Sequence, residues 1–117
     1  MLKVKRVYES AEKSDGVRFL VERLWPRGIK KEELSMDAWL KDVAPSANLR
    51  RWFAHDITKW EEFQKCYRIE LEENPDAWKV ILDALKRGNV TLLYSAHDRE
   101  HNNALVLKSF LEESLRQ

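Results

Sequence analysis

Apolar residues along this chain recur at two different spacings. Lys3 to Tyr8, Val17 to Trp25 and Val90 to Ser95 are short runs of β-forming residues, and each predicts a strand. Phe19-Leu20-Val21 is apolar without alternation, which predicts a strand buried on both faces. Between the second and third strands the spacing changes to three and four. Leu34, Ala38 and Trp39 predict a helix over Glu32 to Lys41. Ala44-Pro45-Ser46 breaks it and offers Ser46 as the next N-cap, ahead of a short apolar face of Leu49, Trp52 and Phe53. His55-Asp56-Ile57-Thr58 is a second break, with Asp56 or Thr58 as cap. Trp60, Phe63, Tyr67 and Leu71 predict an amphipathic helix that ends at Asn74-Pro75. Trp78, Ile81, Leu82 and Leu85 predict another, with Pro75 at its start and Gly88 in the C′ position. A last helix is expected from Asp98 to Leu115, turning Ala104, Leu107, Leu111 and Leu115 inward.

This order predicts a small α/β layer fold in one domain spanning residues 1–117, in which the helices between the second and third strands cover a sheet. No repeat, linker or low-complexity segment interrupts it. The first two strands are joined by a short polar stretch ending in Asp15-Gly16, a turn signal. That stretch is short for a parallel crossover, so spacing alone favours a hairpin.

Two strands run directly into polar crests. Val90 to Ala96 leads into His97-Asp98-Arg99-Glu100-His101-Asn102, and Phe19 to Leu24 leads into Trp25-Pro26-Arg27-Gly28. In open α/β sheets, ligands settle where strand carboxyl ends meet helix N-termini. Arg23 and Arg27 could converge on a phosphate or carboxylate, because a planar guanidinium donates two parallel hydrogen bonds; pairing with Glu22 or Glu33 is the alternative. Trp25 could stack on a ring. Asp98 reads as the cap of the last helix, with Ser95 at the strand end and His101 and Asn102 in the first turn facing the crest. His55, beside Asp56, is a second candidate acid or base. Arg50 and Arg51 are expected on a solvated face, with a smaller chance of adding charge to the site.

Composition narrows the chemistry. The 21 basic and 20 acidic residues leave a net charge of +1, so no general attraction to nucleic acid or to an anionic membrane exists. Cys66 is the only cysteine and reads as a small apolar side chain in a helix; with no disulfide and no leader segment, a cytoplasmic location is expected. The three glycines form no phosphate-binding loop. His97 to His101 matches H-x-x-E-H formally, but that metalloprotease pattern needs both histidines on one helix, and His97 lies too near a strand. No cofactor and no metal are expected. The five tryptophans are many for this length; all but Trp25 fall in helical patterns.

Taken together, Arg6-Val7-Tyr8, Asp15-Gly16, the run Arg23-Leu24-Trp25-Pro26-Arg27-Gly28, Trp39-Leu40, Ala44-Pro45-Ser46, Leu49-Arg50, Trp52-Phe53 with His55-Asp56, and Thr91 to Tyr94 with Asp98 and His101-Asn102 resemble the bacterial YeaO-like family, a domain family of unknown function. The resemblance covers nearly the whole chain. It implies a small cytoplasmic α/β protein, and it implies parallel first strands, since longer relatives carry a helix between them. The expected sheet is therefore mostly parallel, of three strands or slightly more, covered by about five helices, with strand order open. Other relatives carry a Cys-His-Arg cluster where this chain has His101-Asn102, so their thiol chemistry does not transfer.

The leading expectation is a site for an anionic small molecule. Arg23, Trp25, Arg27, Ser95, Asp98 and Asn102 would bind it, and His101 and His55 would act as acid or base if a reaction occurs. The rival is a non-catalytic interaction or ligand-sensing module that uses its tryptophans to self-associate into a homo-oligomer. A nucleic-acid-binding regulator ranks third, and membrane association is not expected, since no apolar run approaches the roughly 20 residues of a bilayer span.

Overall fold

The structure, a computed structural model, describes residues 1–116. Four parallel strands form one sheet: β1 (Leu2–Arg6), β2 (Val17–Leu20), β3 (Ala38–Trp39) and β4 (Val90–Tyr94), in the spatial order β1-β4-β2-β3. Four helices accompany them: α1 (Ala47–Phe53), α2 (Trp60–Glu73), α3 (Pro75–Leu85) and α4 (Asn103–Leu115). The mixed α/β class and the parallel sheet agree with expectation. No described helix is long and apolar enough to cross a membrane.

The hairpin does not form. β4 lies between β1 and β2 and pairs in parallel with both, setting Leu92 opposite Val4 on one side and Phe19 on the other. Every residue of β4 is buried, as a central parallel strand requires. Alternation then divides the sheet into two faces. Val90, Leu92 and Tyr94 join Leu2, Phe19 and Val21 in the main core, packed on Tyr67, Ile81, Leu107 and Leu111 from the helices. Leu93 and Leu20 point the other way. They form a smaller core with Val7 and Leu34, over which Trp25, Ile29, Met36 and Trp39 pack. This second face is covered by irregular segments; none of the four helices contributes to its core.

A buried carboxylate anchors that loop layer. The chain from Val7 to Gly16 crosses the second face and ends in a 3₁₀ turn, Lys13–Asp15. Asp15 has no solvent exposure, and it meets Lys3 Nζ at 3.1 Å, Lys5 Nζ at 3.0 Å and the Arg18 guanidinium. Lys3 and Lys5 are two apart on β1 and Arg18 is on β2, so one carboxylate spans β4 and ties both flanking strands. Thr91 of β4 joins the knot by donating its hydroxyl to the Asp15 carbonyl at 2.8 Å. Gly16 follows with φ 65°, and a Cβ there would lie 2.0 Å from the Asn89 carbonyl oxygen, so only glycine fits the crossing.

Several boundaries differ from expectation for local reasons. The helix expected over Glu32 to Lys41 is a 3₁₀ turn followed by β3, because Asp37 claims the edge of β2. Its carboxylate accepts from the Arg18 N–H and its own N–H donates to the Arg18 carbonyl, both at 2.7 Å. Trp39 therefore sits on a strand, with its ring edge-on to Trp25 at 5.3 Å between centroids. β2 stops at Leu20, well before Trp25, although Val21 N–H still reaches the Leu93 carbonyl at 3.1 Å. α4 begins at Asn103, capped by Asn102 and not by Asp98: Asn102 Oδ1 accepts from Leu105 N–H at 3.0 Å. Gly88 is not the left-handed terminator expected; α3 gives way to a turn at Lys86 and Arg87, and Gly16 and Gly28 are the glycines with positive φ. Ser46 caps α1 as expected, accepting from Leu49 N–H at 3.2 Å, and Pro75 opens α3. Of the tryptophans, Trp52 alone is exposed.

Asp15 should dominate stability. Burial acts to raise its pKa, but hydrogen bonds from Lys5, the Glu12 backbone, Lys3 and Arg18 overcome this and hold the carboxyl far below the usual range. A carboxyl whose folded pKa is depressed contributes stability above its unfolded value, and that contribution is lost as pH falls toward the folded one. Asp15→Ala should cost about 3–5 kcal/mol at neutral pH in urea unfolding, since it leaves the buried Arg18 guanidinium without its carboxylate. The difference from wild type should shrink on acidification below pH 4.

Candidate functional site

An open cleft of about 780 Å³ lies where the carboxyl ends of β2 and β4 meet α1 and the segment before α4. Its volume falls within the range of small-molecule sites. Seven of the residues expected at the site line it: Trp25, Arg27, His55, Ser95, Asp98, His101 and Asn102. Arg23 does not. Its guanidinium turns away and donates to the Pro45 and Ala44 carbonyls, each at 3.2 Å, bordering a separate groove of about 360 Å³. Arg23 and Arg27 therefore do not converge. Those carbonyls hold the loop entering α1, so Arg23 shapes the cleft wall from behind.

Glu22 forms the floor. Its Oε1 accepts from Ser95 N–H at 2.8 Å and from Ser95 Oγ at 3.2 Å, joining the chain beyond β2 to the end of β4. The Glu22 carbonyl accepts from Trp39 Nε1 at 2.6 Å, which fixes the turn out of β2. Burial pushes the Glu22 carboxyl above the usual range; hydrogen bonds from Ser95 and the charges of Arg50 and His55 pull it back only in part. On the other strand, Arg6 holds the chain after β4 by donating Nε to the Ala96 carbonyl at 2.8 Å.

His101 is oriented by Asp98. The ring nitrogen Nδ1 lies 2.8 Å from Asp98 Oδ2. A carboxylate partner assigns the proton to Nδ1 and leaves Nε2 as the free ring nitrogen. Asp98 Oδ1 accepts from the N–H groups of Glu100 and His101 at 2.9 and 3.1 Å. These bonds, Glu100 first and the His101 ring next, hold the Asp98 carboxyl below its ordinary value. Trp60 presses edge-on against the imidazole at 5.2 Å between centroids. His97 and His101 flank a non-helical turn, so the H-x-x-E-H geometry does not arise, and no group of three or more potential metal ligands exists among the described residues.

His55 reaches the cleft through a strained turn. Ala54 and His55 both take left-handed backbone angles, with φ 46° and 58°. Each costs roughly 1–2 kcal/mol for a residue with a Cβ. The Ala54 N–H closes α1 on the Arg50 carbonyl at 3.0 Å, and the Asp56 N–H returns to the Phe53 carbonyl at 2.9 Å. Strain of this kind concentrates at functional sites.

Two site residues were underweighted by sequence reading. Glu22 read only as a local partner for arginine. Arg50 read as a solvated side chain, yet it lines the cleft, and among the described residues its guanidinium finds no acceptor; its Nε is also shielded from solvent. The signal available was the i, i+3 offset of Arg50 from the buried Phe53, which turns both toward the cleft side of α1. All three histidines of the chain, far apart or clustered in sequence, face this one cleft.

Other candidates are committed to the fold. The Ser95 hydroxyl is given to Glu22. Asn102 is buried, with Oδ1 capping α4 and Nδ2 donating to the Asp98 carbonyl at 3.1 Å. Cys66 lies on α2 outside the cleft lining, and burial followed by the Glu62 carboxylate pushes its thiol up. Glu22→Gln tests the floor. A carboxyl raised by folding favours the fold most when protonated, and stability declines as pH rises through its folded pKa. The variant, which keeps an acceptor for Ser95, should be more stable than wild type at pH 7, with the gap closing below pH 4 in thermal melts.

A family model described as the inactive DUF488-N3 subclade matches residues 1–117. The uncharacterized protein YeaO of Escherichia coli is 44% identical over 110 residues, covering 94% of this chain and 96% of that protein. The uncharacterized proteins Mb3100c of Mycobacterium bovis and Rv3073c of Mycobacterium tuberculosis are each 44% identical over 110 residues, covering 94% of this chain and 92% of theirs. No solved structure matches the chain. By full-length model match and by these relatives, the chain belongs to the DUF488 family, on its YeaO-like branch.

Proposed function

We propose that this chain is a binding protein whose cleft at the strand carboxyl ends takes a small anionic molecule and holds it without turnover. One observation carries the reading: the Arg50 guanidinium lines a cleft of ligand size and finds no acceptor among the described residues. An arginine left unpaired in a concave wall is costly unless a guest supplies the acceptor. Arg27 on the rim adds a second positive charge. Absence of turnover is supported by the hydroxyl and thiol chemistry already described: Ser95 is spent on Glu22 and Cys66 lies elsewhere. The family description as an inactive subclade agrees. A cytoplasmic setting fits a half-buried free thiol in a protein of bacterial relatives.

A second reading rests on the His101–Asp98 pair, which has the form of an oriented general base. His55 would then be the partner acid across the cleft. Phosphate release from simple phosphate monoesters, abolished by His101→Ala, would favour that reading over binding alone; no release above background is the expected result.

Sulfate is a suitable probe because its charge is constant across the useful pH range. Calorimetric titration should give saturable binding to the wild type, and Arg50→Ala should weaken it about 10- to 100-fold. No saturation, or affinity indifferent to Arg50→Ala, would overturn the proposal. Sulfate affinity should also fall as pH rises through the raised titration of Glu22, because ionisation places a negative charge on the floor. Glu22 is faced by Arg50, His55 and Ser95, with Asp98, His97 and His101 elsewhere on the cleft. Comparison with Glu22→Gln isolates its share, which should vanish in the variant.

A further inference from the structure

Two opposite charges face this cleft without meeting. Glu22 enters from the chain beyond β2 and Arg50 from α1. The Arg50 charge acts on the Glu22 carboxyl, yet no ion pair within 4.0 Å joins them. Each keeps hydrogen-bonding capacity that no described residue uses. Glu22 Oε1 is taken by Ser95, while Oε2 receives no protein donor. The Arg50 guanidinium donates to no acceptor among the described residues, and its Nε is shielded from solvent as well. The other carboxylate on the cleft, Asp98, is occupied by two backbone N–H groups and the His101 ring.

A guest that is only anionic satisfies half of this arrangement. It pairs with Arg50 and faces an unpaired, partly desolvated carboxylate that repels it. A guest with an anionic end and a positively charged nitrogen satisfies both walls. Its ammonium N–H groups meet Glu22 Oε2 in a charge-assisted hydrogen bond while its oxyanion meets Arg50. We propose that the cleft is selective for a zwitterionic small molecule, an oxyanion that carries an amine a few bonds away, with Glu22 as the residue that reads the amine. This rests on the anion-binding reading above and adds the specificity to it. The ammonium also offsets the burial that raises the Glu22 carboxyl, so selectivity is greatest where Glu22 is ionised.

Ethyl phosphate and phosphoethanolamine differ only by the amine and make a direct test by calorimetry on the full chain at pH 7.5. Phosphoethanolamine should bind wild type at least about tenfold more tightly, the scale of one charge-assisted bond. Glu22→Gln keeps an acceptor for Ser95 but loses the charge. It should close the gap by weakening phosphoethanolamine, while ethyl phosphate binds as well as before or better. Equal affinities in wild type, or a gap that persists in Glu22→Gln, would overturn the proposal and leave the anion site standing. Failure of both compounds to bind would overturn the anion-binding reading itself.

Discussion

The bond between the Glu22 carboxylate and Ser95 is the constraint on which the cleft depends. β2 and β4 run side by side, and at their carboxyl ends the chain must leave the sheet twice in the same small space. Glu22 Oε1 accepts both the backbone N–H and the hydroxyl of Ser95, so one oxygen closes the two exits together. The cost is a carboxyl kept from water and raised above its usual range. The gain is a floor with one oxygen still free, set against walls from α1 and from the turn before α4.

The same sheet explains why its two faces behave differently. Helices carry the main core, whose buried Tyr67 hydroxyl donates to the Val43 carbonyl at 2.7 Å. The opposite face has only loops and 3₁₀ turns to cover it. Apolar burial there is small, and Asp15 with its cations adds a polar clasp under the Val7–Gly16 crossing. Electrostatics thus serves two ends of one sheet. At Asp15 opposite charges meet directly and hold the fold. At Glu22 and Arg50 they are kept apart, which leaves them free for a guest.

Much of this was legible in the sequence where local rules govern. The α2 and α3 stripes, the Ser46 cap, Pro75 at a helix start and the Asp15-Gly16 turn all depend on neighbours close in the chain. Strand ends and β3 were not, because Asp37 pairs with Arg18 across the sheet and overrides the helical spacing of Leu34 and Ala38. The hairpin favoured by a short connection failed for a related reason: β4, far along the chain, supplies the pairing for both strands. At the cleft, polar crests after strands pointed to the right place. They misplaced Arg23, whose donors are consumed by the Ala44 and Pro45 carbonyls, and they gave too little weight to Arg50, whose importance lies in what it does not contact.

The central claim is that an anion settles among groups brought together from β2, β4 and α1. The most direct measurement is a sulfate titration of isotope-labelled protein followed by NMR. The expected result is a saturable shift of the Arg50 side-chain signal together with the backbone amides of Ser95, His55 and His101. Shifts scattered over the surface, or confined to Lys3, Lys5 and their neighbours while Arg50 stays unmoved, would contradict it.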